Sequence, residues 1–261
     1  MAEERRWALV TGASSGIGAE LARVFAGRGY SLLLTARRED RLRALAGELR
    51  GKHGIEAETL VFDLEDPAAP QPLFEAIQGR GIALHTLVNN AGFGLRGRFA
   101  ELSYDQQVAM IELNVTALLK LSRLFLPGMI ERRRGGVLNL ASTAAFQAGP
   151  KMAVYYATKA FVLSLSEALH EEVKRHGVTV TALCPGPVPT EFSERASMQM
   201  TRLVKMRFMT LSAEEVARQG VAGYEKGRAI VIPGLANKLG AWGAQIGPRA
   251  VARAIAGKLQ G

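Results

Sequence analysis

Short apolar runs rich in leucine and β-branched residues alternate along the chain with longer stretches of helical periodicity. Seven runs read as strands: Trp7–Thr11, Tyr30–Ala36, Glu58–Phe62, Leu84–Asn89, Gly136–Ala141, Val178–Cys184 and Ala229–Ile232. Strands that are apolar throughout, each followed by a helix, belong in a parallel sheet covered on both faces. The pattern therefore predicts an α/β fold of the Rossmann type: a doubly wound, seven-stranded parallel sheet with helices on both faces. Ser103 with Gln106 and Ser212 with Glu215 have capping-box spacing, and Asp66-Pro67 reads as a cap followed by a first helical position. With no repeat or linker along the chain, residues 1–261 read as one domain.

Composition narrows the picture further. Of 261 residues, 48% are hydrophobic and 22% charged, as in a packed globular protein. The first residues are charged and lack the apolar stretch of a signal peptide, and no run approaches the roughly 20 apolar residues of a membrane span. With one cysteine, Cys184, there is no intrachain disulfide and no cysteine-built metal site, so the expectation is a cytoplasmic protein without a metal. The net charge of +9 leaves nucleic acid, an anionic membrane or an anionic cofactor open as partners.

Local chemistry separates these options. The first strand runs into Gly12-Ala13-Ser14-Ser15-Gly16-Ile17-Gly18, followed by a helical stretch. Glycines permit a tight turn and close backbone approach, and the helix start offers unpaired N–H groups and a positive dipole end to a pyrophosphate. The second strand ends in Ala36-Arg37-Arg38. A carboxylate there would bond the ribose 2′-hydroxyl of NAD, whereas arginine suits the 2′-phosphate of NADP. Cations at a helix start are disfavoured by the dipole unless an anion arrives, so Arg37 and Arg38 point to NADP(H). Asp63, with Leu64 after it, ends the third strand, where a carboxylate either accepts a hydrogen bond from an adenine amine or caps its own loop.

Tyr155 and Lys159 lie four residues apart in a helical run and so share a face. A cation about 4 Å from a phenol, at an effective dielectric of 20, is worth about 4 kcal/mol, roughly three pKa units, enough to make tyrosine a usable acid and base. These residues belong to a set of four motifs that runs in order: Thr11-Gly12-x-x-x-Gly16-x-Gly18; Asn89-Asn90-Ala91-Gly92; Ser142 thirteen residues before Tyr155-x-x-x-Lys159; and Pro185-Gly186-x-Val188-x-Thr190. On these motifs the chain resembles the short-chain dehydrogenase/reductase family along essentially its whole length.

The resemblance implies an oxidoreductase that moves a hydride between NADP(H) and a carbonyl or alcohol carbon. It casts Tyr155 as the proton donor, Ser142 as the hydrogen-bond partner of the substrate oxygen, and Lys159 as the group that holds the nicotinamide ribose and lowers the tyrosine pKa. Asn114 matches the family's helix asparagine, whose local backbone holds a proton-relaying water; asparagine is a mediocre helix former, which fits a distortion there. Asn90, Ala91 and Gly92 match the segment along the cofactor, where Asn90 either touches it or braces the sheet. Pro185, Gly186, Val188 and Thr190 match the turn that cups the nicotinamide. A homodimer or homotetramer is also implied.

Residues 190–211 match the family's substrate-covering lid. Met198, Met200, Met206 and Met209 are four of the chain's eight methionines, and flexible thioethers either line a pocket for a lipophilic steroid-like or acyl ketone or simply pack a helix. In the amphipathic segment near 237–261, Val251, Ile255 and Leu259 repeat every fourth residue with Arg249 and Arg253 away from them. That stripe fits an anionic membrane surface, but one so narrow fits the protein's own body or a neighbouring subunit better. A non-catalytic NADP(H)-binding regulator is the competing function, disfavoured because Tyr155, Lys159, Ser142 and Asn114 occur together. A nucleic-acid binder lacks any recognised motif.

Overall fold

The computed structural model describes residues 5–192 and 210–260. Its centre is one parallel sheet in the order β3-β2-β1-β4-β5-β6-β7, built from β1 (Trp7–Thr11), β2 (Ser31–Ala36), β3 (Ala57–Val61), β4 (Leu84–Asn89), β5 (Gly136–Leu140), β6 (Thr179–Leu183) and β7 (Ile230–Val231). This is the sheet that the apolar runs predict, with most ends moved by one residue and β7 reduced to two.

Alternation along each strand divides the core between two layers. Leu9, Leu33, Leu87, Val137 and Val180 face one side, where they pack with residues of α3 (Pro70–Gln78), α5 (Leu118–Glu131) and α6 (Ala153–Val173). Val10, Leu32, Leu34, Leu138 and Leu183 face the other, against α1 (Gly16–Gly27), α2 (Glu39–His53) and α7 (Ala213–Glu225). Both sides of the sheet are apolar because both are covered. The remaining helices are α4 (Tyr104–Ile111), which leads through a π-helical turn over Glu112–Ala117 into α5, and two C-terminal helices, α8 (Leu235–Ile246) and α9 (Arg249–Gln260). Among the described residues, no helix is long and apolar enough to cross a membrane.

The Ser103 and Ser212 hydroxyls accept hydrogen bonds from the backbone N–H groups of Gln106 and Glu215, so both cap helices as the spacing predicts. Asp66-Pro67 does not start a helix. The Asp66 carboxylate accepts from Ala68 N at 2.9 Å, its carbonyl accepts from Ala69 N, and α3 begins only at Pro70. A helix running on from Pro67 would need an N–H at position 70 to reach the Asp66 carbonyl, and proline has none. The turn closes on itself and a new helix starts with Pro70 in its first turn.

One buried polar chain crosses the apolar layers. Asn89 on β4 donates to Ser122 on α5 at 3.0 Å and to Asn139 on β5 at 2.9 Å; Asn139 donates to Ser166 on α6 at 3.0 Å. It ties together the strands and helix from which the site residues project. A buried group that loses its partner costs about 1–3 kcal/mol. Asn139→Ala, which takes one partner each from Asn89 and Ser166 and leaves a small cavity, should lower the unfolding free energy by about 2 kcal/mol in urea titration.

Candidate active site

The order of the sheet reverses between β1 and β4, and loops leaving their C-terminal ends part to opposite sides, opening the crevice where ligands bind in such folds. Thr11 and Asn90 fix its two banks. Thr11 Oγ1 accepts from Asn90 N at 3.0 Å and Ala91 N at 2.9 Å, and donates to Val88 O; Asn90 Nδ2 donates back to Thr11 O at 2.8 Å. Asn90 thus braces the sheet, one of the two roles its motif allowed.

Over this brace the glycine turn is pressed close. Gly12 and Gly16 have φ of +65° and +56°. A Cβ on Gly18 would lie 2.3 Å from Gly12 O and 2.4 Å from Asn90 Nδ2, so no side chain fits there. The start of α1 has no side-chain cap and no acidic residue in its first turn. A backbone cradle with open N–H groups and an unneutralised positive dipole end is what a pyrophosphate requires, so the residues present fit a dinucleotide.

Arginines gather beside the cradle. Arg38 points its fork at Ser14 Oγ (3.0 Å) and Ser15 Oγ (2.8 Å) and pairs with Glu191 at 2.8 Å; Arg41 pairs with Glu191 too. The hydrogen bonds from Arg41 and Arg38 hold the Glu191 carboxylate down at about 2. Arg37 lies one step away, paired with Glu65 at 2.9 Å and Asp63 at 3.7 Å. Asp63 also accepts from Glu65 N at 3.0 Å, so it caps its own loop.

On the other bank stand Ser142, Tyr155 and Lys159. Ser142 follows β5 and caps a short 3-10 turn (Thr143–Phe146) by accepting from Ala144 N, which holds its hydroxyl in the crevice. Its hydroxyl favours the ionised form of the Tyr155 phenol across the same wall. Tyr155 and Lys159 lie one turn apart on α6, both buried. Lys159 Nζ donates to Leu140 O at 2.7 Å and sits 5.9 Å from the centre of the Tyr155 ring. Burial pushes the phenol upward, partly countered by Ser142, and pulls the lysine down to about 8. Burial drives each group toward its neutral form, so the lowering of the phenol by Lys159 that the spacing suggests does not set its pKa.

Asn114 occupies the middle of the π-helical turn, a distortion where the residue's helix propensity led us to expect one. Its side chain accepts from Phe93 N at 3.0 Å and donates to Phe93 O at 2.9 Å and Thr158 Oγ1 at 3.1 Å. It sits behind the wall and braces the Ala91–Phe93 segment against α6.

These pieces surround one cavity of about 800 Å³, within the range of small-molecule sites. Of the catalytic and cofactor-binding candidates read from the sequence, all but Asn114 line it: Gly12 to Gly18 without Ala13, Arg37, Arg38, Asp63, Leu64, Asn90 to Gly92, Ser142, Tyr155, Lys159, Pro185, Gly186, Val188 and Thr190. Thr190 packs on the glycine turn, where a Cβ on Gly16 would lie 3.2 Å from its methyl. Three contributors were not legible. Glu191 meets Arg38 across 153 positions. Phe192 places its ring 5.5 Å from that of Tyr155. Asn237 on α8 packs against Gly186, where a Cβ would meet its amide at 2.3 Å. The lid methionines lie outside the described residues, as does most of the lid. Among the described residues no cluster of His, Cys, Asp or Glu could hold a metal ion.

Comparison with known proteins agrees with this geometry. The short chain dehydrogenase family model matches residues 6–201. A very-long-chain 3-oxoacyl-CoA reductase of Mycosarcoma maydis is 35% identical over 222 residues, which cover 83% of this chain and 63% of the relative, so the chain spans less than two thirds of that protein's length. A short-chain dehydrogenase from Sphingobium yanoikuyae, solved in complex with NADPH, superposes with a TM-score of 0.82 at 35% identity, covering 91% of this chain and 92% of the other. Another from Burkholderia phymatum, in complex with NAD, gives 0.81 at 27% identity over 91% and 92% of the two chains. The glycine cradle, the Ser142-Tyr155-Lys159 group and a family match across three quarters of the sequence have one reading: the chain belongs to the short-chain dehydrogenase family of oxidoreductases.

Proposed function

We propose that this enzyme is an NADPH-dependent reductase of a lipophilic ketone, of which a 3-oxoacyl thioester is the best candidate. The observation that carries the cofactor preference is the second strand's end: Ala36 stands where NAD would need a carboxylate, and Arg37, Arg38 and Arg41 follow it. The NADPH complex of the Sphingobium relative supports this reading, while the NAD complex of the Burkholderia relative makes it one to be measured. The oxoacyl substrate is supported by apolar residues in the cavity's lining, Phe192, Val251 and Ile255 among them, and by the similarity to the reductase from Mycosarcoma maydis.

The bound cofactor would supply the hydride. The chain's own residues then have separate tasks. The cradle at Gly12–Gly18 would hold the pyrophosphate, and Arg37 and Arg38 the 2′-phosphate. Ser142 and Tyr155, which both line the cavity, would face the substrate oxygen, the tyrosine giving its proton as negative charge develops there. Its raised pKa keeps that proton in place at neutral pH. Lys159, once ionised beside a ribose and the phenol, would favour the departing proton's replacement. Asn114 keeps Phe93 and α6 in register and acts by positioning. Val108, Ile111, Leu119 and Phe161 are exposed apolar residues of α4 to α6 and would form the subunit contact of the expected homo-oligomer.

In fluorescence titration, NADPH should bind tighter than NADH, and Arg38→Ala or Arg37→Ala should weaken NADPH by on the order of 10- to 100-fold with little effect on NADH. Tighter NADH binding would remove the cofactor assignment. Glu191→Gln, which frees Arg38 and Arg41 from a competing carboxylate, should tighten NADPH by about 2- to 5-fold, a modest gain because the pair is exposed.

Turnover of a 3-oxoacyl thioester, followed by cofactor absorbance, should fall by about 10²–10⁴ in Tyr155→Phe. With Lys159 titrating at about 8, kcat/KM for reduction should hold steady below that pH and decline above it.

Lys159 also links to stability. Its folded pKa lies below the ordinary 10.5, so between about 8 and 10.5 the unfolded chain binds a proton the native protein lacks, and stability rises with pH there. Below that window the burial penalty is about 3 kcal/mol, offset in part by the hydrogen bond to Leu140. Lys159→Met should therefore be inactive yet more stable at pH 7, by on the order of 1 kcal/mol in urea unfolding, with the gain gone by pH 10.

A further inference from the structure

Helix α8 has two unlike faces. Asn237, Gly240, Ala241 and Ala244 recur at helical spacing and line the cavity. Directly opposite, Leu235, Leu239, Trp242 and Ile246 form a second stripe, and all four are exposed, Leu235 by 74% and Ile246 by 86%. A helix apolar on both faces normally belongs inside a protein. Here one face is turned outward, while Val251 and Ile255 of α9, each about half exposed, line the cavity on the inner side.

The charge of the segment that carries this patch is one-sided. After Glu225 the chain contains no acidic residue, while Lys226, Arg228, Lys238, Arg249, Arg253 and Lys258 supply six of its net nine positive charges. Elsewhere on the surface arginines sit beside carboxylates, as Arg23 does with Glu48, Arg28 with Glu225 and Arg80 with Glu58. Lys238, Arg249, Arg253 and Lys258 form no ion pair among the described residues. A second copy of the chain would bring the same cations against these. An anionic lipid surface would neutralise them and cover the apolar stripe, with Trp242 at the depth tryptophan favours.

We propose that the outer face of α8, with the cations of α8 and α9, docks this protein on anionic lipid bilayers. The sequence had drawn attention to the α9 stripe, but Val251 and Ile255 edge the cavity and the larger outward face is on α8. Helix α8 would lie in the interface plane along about 18 Å. The docking does not rest on the function proposed above.

The test uses the full chain without substrate. Of the two tryptophans, Trp7 is 8% exposed and Trp242 is 56% exposed, so an emission change reports on Trp242. Vesicles of phosphatidylcholine with phosphatidylglycerol should shift the emission to the blue and carry the protein through flotation, while phosphatidylcholine alone should do neither. Changing Arg249, Arg253 and Lys258 together to Gln should weaken flotation by on the order of 100-fold. Trp242→Ser with Ile246→Ser should abolish it. Circular dichroism and NADPH binding should match the parent in both variants, since the altered side chains are exposed. Equal binding to both vesicle types, no binding to either, or a blue shift that tracks protein concentration without lipid would overturn the proposal, the last by showing that a second copy covers the face.

Discussion

Two hydrogen-bonding side chains, Thr11 and Asn90, hold the site open. They join the loops that leave β1 and β4 at the point where the sheet's order reverses, and each serves the other's backbone. That brace brings the glycine turn so near Asn90 that no Cβ fits at Gly18. The cradle's shape is thus a packing consequence of the brace. The N–H groups at the start of α1 point into the crevice because the chain has no other way to turn. On the opposite bank Asn114 does the same for Phe93 through two hydrogen bonds to one backbone unit. Both asparagines act on main chain, and the reacting groups stand on what they fix.

Function is bought with unfavourable burial. Tyr155 and Lys159 sit in a wall that pushes the phenol upward and pulls the ammonium down to about 8. Neither group is comfortable in its charged form, so the cavity gains from any ligand that solvates them. At the other end, Arg38 and Arg41 share the Glu191 carboxylate of their own chain, a pairing that an arriving phosphate would compete with. Sites that bind anions and transfer protons store such mismatches, and ligand binding relieves them.

The C-terminal helices place demands of the opposite kind. Small residues on the inner face of α8 leave room for the cavity, and Asn237 fills the space over Gly186. The large apolar residues displaced from that face point outward, into a region of unrelieved positive charge. One helix thereby shapes the pocket on one side and presents a greasy cationic surface on the other.

What the sequence determined alone was whatever depends on short-range spacing. Apolar runs of five or six residues fixed the strands, because both faces of a parallel sheet are covered. Glycines at 12, 16 and 18 marked a turn that only they can make, and the Tyr155–Lys159 interval put both on one face of a helix. Serine caps at 103 and 212 were legible for the same reason, while Asp66-Pro67 misled because a second proline at 70 forbids the hydrogen bond that would continue its turn. The tertiary structure decided everything that joins distant segments: Asn90 bracing Thr11, Asn114 placed behind the wall, Glu191 reaching Arg38, Lys159 facing the Leu140 carbonyl, and the outward stripe of α8. A helix shows by its period that it has faces. Which neighbour each face meets depends on packing between residues far apart in the chain, and no local pattern encodes that.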